Sequence, residues 1–184
     1  MPQVSATLTR RGALGGAAAL GLASCGGGDP PPSAGPRAGS GAATLSSIVA
    51  LEHAAVAAWA AIGKQLGGEP SHYAREIRAR EADHATRLSK LIERAGGTAP
   101  EARPAASYAP TFPVLGSPAD ALHFARDLEE RLVRAYLEGL VQLRDAEQRR
   151  TVAAIAAAQA EDLAVVHTLA GEPAAPQPFV TGMS

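Results

Sequence analysis

Between Ala74 and Leu91 the residues Ala74, Ile77, Glu81, His84, Leu88 and Leu91 recur at intervals of three and four. That spacing puts side chains on one face of an α-helix. A stripe of this kind seeks a core, yet its two middle members are a carboxylate and an imidazole. Burying both is costly unless they pair, hydrogen-bond or hold a metal. Any fold for this chain has to supply partners for Glu81 and His84 at that depth.

Three further helices read in the same way. The first runs from Thr44 to about Leu66 with the stripe Leu45, Ile48, Glu52, Ala55, Trp59, Ile62 and Leu66. Gly67-Gly68-Glu69-Pro70-Ser71 stops it and starts the next, with Ser71 as the expected cap, and the second helix extends from about His72 to Ala95. Ser117-Pro118-Ala119-Asp120 resembles a capping box with proline at the first helical position. It opens a third helix whose stripe is Leu122, Ala125, Glu129, Leu132, Tyr136, Leu140 and Leu143. Asp145 caps a fourth, with Val152, Ile155, Gln159, Asp162, Val166 and Leu169 in line and an end near Gly171. No useful period-two alternation occurs, so the fold class is all-α, four helices in one bundle. Residues 96–116 hold four prolines and no stripe. A loop that long inside a compact domain needs a task, and a crossover along the bundle between the second and third helices supplies one. Tyr108, Phe112, Val114 and Leu115 are the side chains expected to pack it down.

The two helical pairs repeat one another. Leu51-Glu52 followed by Trp59 matches Leu128-Glu129 followed by Tyr136, with six residues between acid and aromatic in each. Glu81 and His84 lie 29 and 32 residues after Glu52, and Gln159 and Asp162 lie 30 and 33 after Glu129. Residues equally far from the turn of an antiparallel hairpin sit at equal height. With turns near Gly68 and Asp145, all six polar stripe residues therefore fall at one level of the core.

One Glu from each of two helices, with Glu-x-x-His from each of the other two, is a recipe for a carboxylate-bridged metal pair. Through Glu52, Glu81-x-x-His84 and Glu129, and the long second loop, the chain resembles the ferritin-like superfamily over about 44–171. In particular it resembles the exported ferritin-like domain proteins of bacteria. The resemblance implies a ferritin-like four-helix bundle and a site for iron or manganese, mononuclear or dinuclear, doing redox work on oxygen or peroxide. Its ligands would be Glu52, Glu81, His84, Glu129 and Asp162. Gln159 departs from the glutamate the pattern expects, and Asp162 stands where a histidine belongs, so a single metal on Glu52, Glu81, His84 and Glu129 is the simpler expectation. The competing reading is a metal-free polar layer in a helical module of the cell envelope. Trp59 and Tyr136 read as core aromatics. Arg75, Arg78, Arg80 and Arg87 read as a solvated face, and His53, His72, His123 and His167 fall off the stripes or near helix ends.

The N-terminus bears on location. Arg10-Arg11 before the uncharged run 13–24 resembles a twin-arginine export signal, and Leu22-Ala23-Ser24-Cys25 resembles a lipoprotein processing box. The expectation is a signal peptide over 1–24, lipidation at Cys25, and anchorage to the outer face of the cytoplasmic membrane. Residues 25–43, rich in Gly, Pro, Ser and Ala, read as a tether, and 172–184 as a loosely held Pro-rich tail. Cys25 is the only cysteine, which excludes an internal disulfide and a multi-cysteine zinc site. Formal charge is −1, and −3 without the first 24 residues, so nucleic acid is not an expected partner. Ferritin-like bundles often form homodimers, but no stretch of the sequence marks an interface or a protein partner.

Overall fold

The computed structural model describes residues 39–182. The expected signal peptide, Cys25 and the tether as far as residue 38 lie outside the described residues. Four long helices carry the fold: α1 (Gly39–Ile62), α2 (Gly68–Arg94), α3 (Pro118–Gln142) and α4 (Ala146–Leu169). Two short 3-10 turns, Ala105–Ser107 and Ala109–Thr111, interrupt the long connection between α2 and α3.

The helix ends follow local chemistry. The Ser117 hydroxyl accepts from the Asp120 N–H at 3.2 Å and donates to Asp120 Oδ2 at 2.8 Å, with Pro118 in the first turn of α3. Asp145 Oδ1 accepts from the Gln148 N–H at 2.8 Å and opens α4. Gly96 and Gly171, at φ 79° and 77°, end α2 and α4 in the left-handed conformation that glycine adopts without steric cost. Three expected boundaries shift. α1 ends at Ile62 rather than near Leu66, because the chain tightens there into turns in which the Lys64 and Gln65 N–H groups donate to the Ala61 and Ile62 carbonyls. α1 begins at Gly39 rather than Thr44, because Gly-Ala-Ala can continue a helix whose next turn is anchored by buried Leu45 and Val49. α2 begins at Gly68 with Gly67 at its cap position, so Pro70 and Ser71 lie inside its first turn, where a missing proline N–H costs nothing.

Cross-helix contacts set the directions. Glu52 meets Tyr136 while Trp59 meets Glu129, so α1 and α3 run antiparallel. Arg80 meets Asp162 while Arg94 meets Glu147, so α2 and α4 do too. Short turns make α1–α2 and α3–α4 antiparallel hairpins, and the α2–α3 connection must therefore travel the length of the bundle. Tyr108 is buried on this crossover, and Phe112 packs on Phe124 with ring centroids 5.5 Å apart. His53 on α1 hydrogen-bonds the Pro100 carbonyl at 3.2 Å, a second tie. Val114, expected to help, is 93% exposed. The segment after α4 is better held than its composition suggests. Glu172 bonds His167 at 2.6 Å and Arg126 at 3.3 Å, and the Gly182 carbonyl accepts from Arg134 Nε at 3.0 Å.

The four stripes form the core, with Leu45, Trp59, Ile62, Ile77, Leu88, Leu132, Tyr136 and Val166 at most 2% exposed. α1 and α4 are long and apolar enough to cross a membrane by length and composition. Both are bundle helices whose inner faces carry buried polar residues, Glu52 on one and Gln159 on the other.

α1 and α3 approach closely at Gly139, where a Cβ would stand 2.8 Å from Ile48 Cδ1 and 3.2 Å from Thr44 Cγ2. Gly139→Val is expected to cost about 1–3 kcal/mol through overpacking. Gly139→Ala should cost less, since helix propensity offsets part of the clash. Urea unfolding midpoints at unchanged slope check both.

Candidate metal centre

Each helix brings its polar stripe residue to the same depth. Glu52, Glu81, Glu129 and Gln159 are 0% exposed and Asp162 is 2%; the His84 side chain is 12% exposed and forms the rim. The apolar neighbours one turn above and below each of them leave no other level at which these groups can meet. Helical period and hairpin register thus place the layer.

One nitrogen of Gln159 connects its members. Nε2 donates to Glu81 Oε2 at 2.7 Å and Glu52 Oε1 at 3.2 Å, and lies 3.3 Å from His84 Nδ1. His84 Nδ1 is also 3.3 Å from Glu81 Oε2 and 3.8 Å from Glu52 Oε1. One ligand atom each from Glu52, Glu81 and His84 fall within 4.8 Å of one another, a spacing that can enclose a metal ion. Around this trio the other polar groups are tied outward. Trp59 Nε1 donates to Glu129 Oε1 at 2.8 Å, and the Tyr136 hydroxyl donates to Glu52 Oε1. Arg80 grips both oxygens of Asp162, with Nε to Oδ2 at 3.1 Å.

Electrostatics follow from burial. Loss of solvent pushes the Glu52 carboxyl well above the usual range, helped by a hydrogen bond shared with Glu81 and by that neighbour's charge. Glu129 rises likewise through burial and the charges of Glu81 and Asp162, against the bond from Trp59. Burial also acts on Glu81, but bonds from His84, Glu52 and Gln159 outweigh it and hold this carboxyl low. Asp162 is raised by burial despite Arg80. Burial and adjacent Glu52 raise the Tyr136 phenol, keeping it protonated as a donor. Without a metal, burial therefore favours the protonated forms of Glu52 and Glu129, the donors around Glu81 favour its charge, and Arg80 pairs with Asp162.

A family model described as a ferritin-like domain matches residues 40–172. The chain belongs to the ferritin-like domain family. The ferritin-like fold is seen too in the crystal structure of a conserved hypothetical protein, rv2844, from Mycobacterium tuberculosis. It superposes with a TM-score of 0.65 at 18% identity, covering 71% of this chain and 96% of that one. No curated protein matches the sequence.

Whether a ferritin-like metal fits here is answered by the carboxylate oxygens. Glu52 Oε2, Glu81 Oε1, Glu129 Oε2 and Gln159 Oε1 are buried and receive no N–H or O–H from the protein. These oxygens have only carboxyl protons, or a cation that takes the protons' place, to satisfy them at this depth. The donor set of hard oxygens and one imidazole suits iron or manganese. Of the sequence-predicted ligands, Glu52, Glu81 and His84 come together. Glu129 lies in the same layer with one oxygen bound to Trp59, and Asp162 is held by Arg80. Arg80, read as part of a solvated face, is thus a member of the layer. Its position next to Glu81 was the only signal in the sequence. Trp59 and Tyr136 are core aromatics as expected, and they are also donors to the acids.

Tyr136→Phe leaves a Glu52 oxygen without its hydroxyl and should destabilise the protein by about 1–3 kcal/mol, read by chemical denaturation. The raised carboxyls also set a pH dependence. Stabilisation from protonated Glu52 and Glu129 is complete below about pH 4 and is lost as pH rises through their folded-state values. The lowered Glu81 opposes this, adding stability above the ordinary carboxylate range. That gain is already complete by about pH 5, and Asp162 is raised along with Glu52 and Glu129, so metal-free protein should melt at lower temperature at about pH 8 than at about pH 5. Glu129→Gln, which keeps an acceptor for Trp59, should flatten that slope in thermal scans.

Proposed function

We propose that the bundle holds a single iron or manganese ion between Glu52, Glu81 and His84, in a protein displayed outside the cytoplasm on a lipid anchor at Cys25. The set of buried carboxylate oxygens without protein donors carries the metal reading. Glu52 and Glu81 supply opposed oxygens and His84 an imidazole nitrogen, while Glu129 and Tyr136 sit beside them to accept or hold protons. Gln159 and the Arg80–Asp162 pair fill the side on which a second metal would need charged ligands. One neutral amide and one guanidinium provide there the positive ends that a second cation would otherwise provide. A bound metal of this kind would supply redox chemistry on oxygen or peroxide.

The protein's own part is preorganisation. Trp59 fixes Glu129, Tyr136 fixes Glu52, and the apolar stripes cover the carboxylates, with His84 and Arg80 as the layer's exposed edge. Binding a cation at Glu52 would require its carboxyl to give up a proton that burial favours, so affinity should rise with pH. A second reading, a metal-free bundle acting as a binding or structural module of the envelope, draws its support from Gln159, whose amide already bridges Glu52, Glu81 and His84.

Metal content decides between the two. Protein purified from its own host should carry about one equivalent of iron or manganese, and Glu81→Ala/His84→Ala should carry little. Equal, sub-stoichiometric metal in both would sink the metal reading. For the anchor, Cys25→Ala should move the protein from the membrane fraction to the soluble one, and an unchanged distribution would contradict lipidation.

A further inference from the structure

His84 belongs to two lines of residues. On its inner side it joins the stripe of Glu81 and Leu88. On its outer side it joins Arg80, Arg87 and Arg94, spaced by four, three and seven residues along α2. This second line, with Lys90, faces a polar cleft of about 850 Å³ between α2 and the start of α4, closed on the far wall by Glu147 and Thr151. His84 is the innermost of the cleft's residues, and its Nδ1 edge is turned inward to Glu81 and Glu52, so the opposite edge of the ring looks outward. The buried carboxylates behind it are fully covered. The cleft is therefore the approach to the layer.

Its charge is unlike what a free metal cation would favour. Four cations line it against two acids, Asp83 and Glu147. Arg94 is paired with Glu147 at 2.8 Å, and Arg80 with buried Asp162 beneath the floor. Arg87 and Lys90 have neither an ion pair nor a hydrogen bond among the described residues, and both point into the same space one helical turn apart. Two unpaired cationic side chains beside two neutralised pairs, with Asp83 as the one remaining acid of the lining, leave the cleft net positive above an imidazole edge and make it a receptor for negative charge. The room exceeds what one inorganic ion needs and accommodates several carboxylates.

We propose that this cleft binds a small multivalent oxyanion, of the phosphate or polycarboxylate class, seated on Arg87 and Lys90 and reaching the outer edge of His84. The binding site stands on the cleft alone. Its role, admitting a metal as an anionic complex or placing an anionic co-ligand over the ion, rests on the metal reading above. A cation stripped to its waters meets like charge at this mouth, whereas an anionic complex is attracted to it.

The test uses purified metal-stripped protein in calorimetry and thermal scans, with citrate, phosphate and chloride at matched ionic strength. Citrate or phosphate should bind and raise the melting temperature by a few degrees, chloride should not, and the stronger of the two names the class. Arg87→Ser/Lys90→Ser should weaken that binding by about tenfold or more, the worth of a lost charge-assisted bond. Both side chains are exposed, so the fold should survive, and a circular dichroism spectrum checks it. Arg87→Gln/Lys90→Gln repeats the measurement with longer side chains. Equal binding in the parent and these variants, or no binding beyond chloride, overturns the proposal. Glu81→Ala/His84→Ala separates the two readings: it should lose manganese(II) binding while keeping most of the citrate affinity. Parent protein that binds citrate or phosphate at the cleft but takes up no manganese(II) would refute the metal reading and leave the cleft proposal standing.

Discussion

The fold answers to one constraint: five acidic or amide side chains and an imidazole share a single buried layer of the core. Four are carboxylates, and they cannot all be ionised within reach of one another in a low-dielectric interior. The chain disperses the charge by several means. Protons stay on Glu52 and Glu129, a guanidinium reaches in from the surface to Asp162, and Gln159 offers two hydrogens where a symmetric site would place another acid. What is left over is a single concentrated negative point, Glu81, with an imidazole beside it. A metal ion competes with a proton for that point.

The order in which helices are connected follows from where these groups must lie. Glu52 can meet Tyr136, and Trp59 can meet Glu129, only if α1 and α3 run in opposite senses. That forces the chain to travel the bundle's length between α2 and α3, on a segment whose own hydrogen bonds are confined to two short 3-10 turns and their flanks. Tyr108, Phe112 and the bond from His53 hold it down. Function and topology are linked through two hydrogen bonds.

Much of this could be read from spacing. Stripes at helical period identified all four helices, and counting from the turns placed Glu52, Glu81, His84, Gln159 and Asp162 at one height. Those arguments depend only on the helix's rise and period, which tertiary context does not change. Arg80 escaped because a long cationic side chain on a boundary position can face either way, and its partner is 82 residues distant. The donors to Glu52 and Glu129 escaped for a related reason. An aromatic on an apolar stripe reads as filling, and only the crossing of α1 and α3 brings its polar atom to an acid. The start of α1 was missed because Gly and Ala describe a tether and a helix extension equally well until a neighbouring turn is anchored.

The two aromatic bonds have a further implication. Each hairpin's acid is capped by the other hairpin's aromatic, so residue i meets j and the counterpart of j meets the counterpart of i. This is the contact rule of an isologous dimer, written here inside a single polypeptide. Two identical hairpins obeying it would be bound to carry identical sites. Joined in one chain, they are free to diverge, and these have: one retains a carboxylate and an imidazole, the other holds an amide and a paired aspartate. Fusion is what permits a symmetric frame to hold an asymmetric centre.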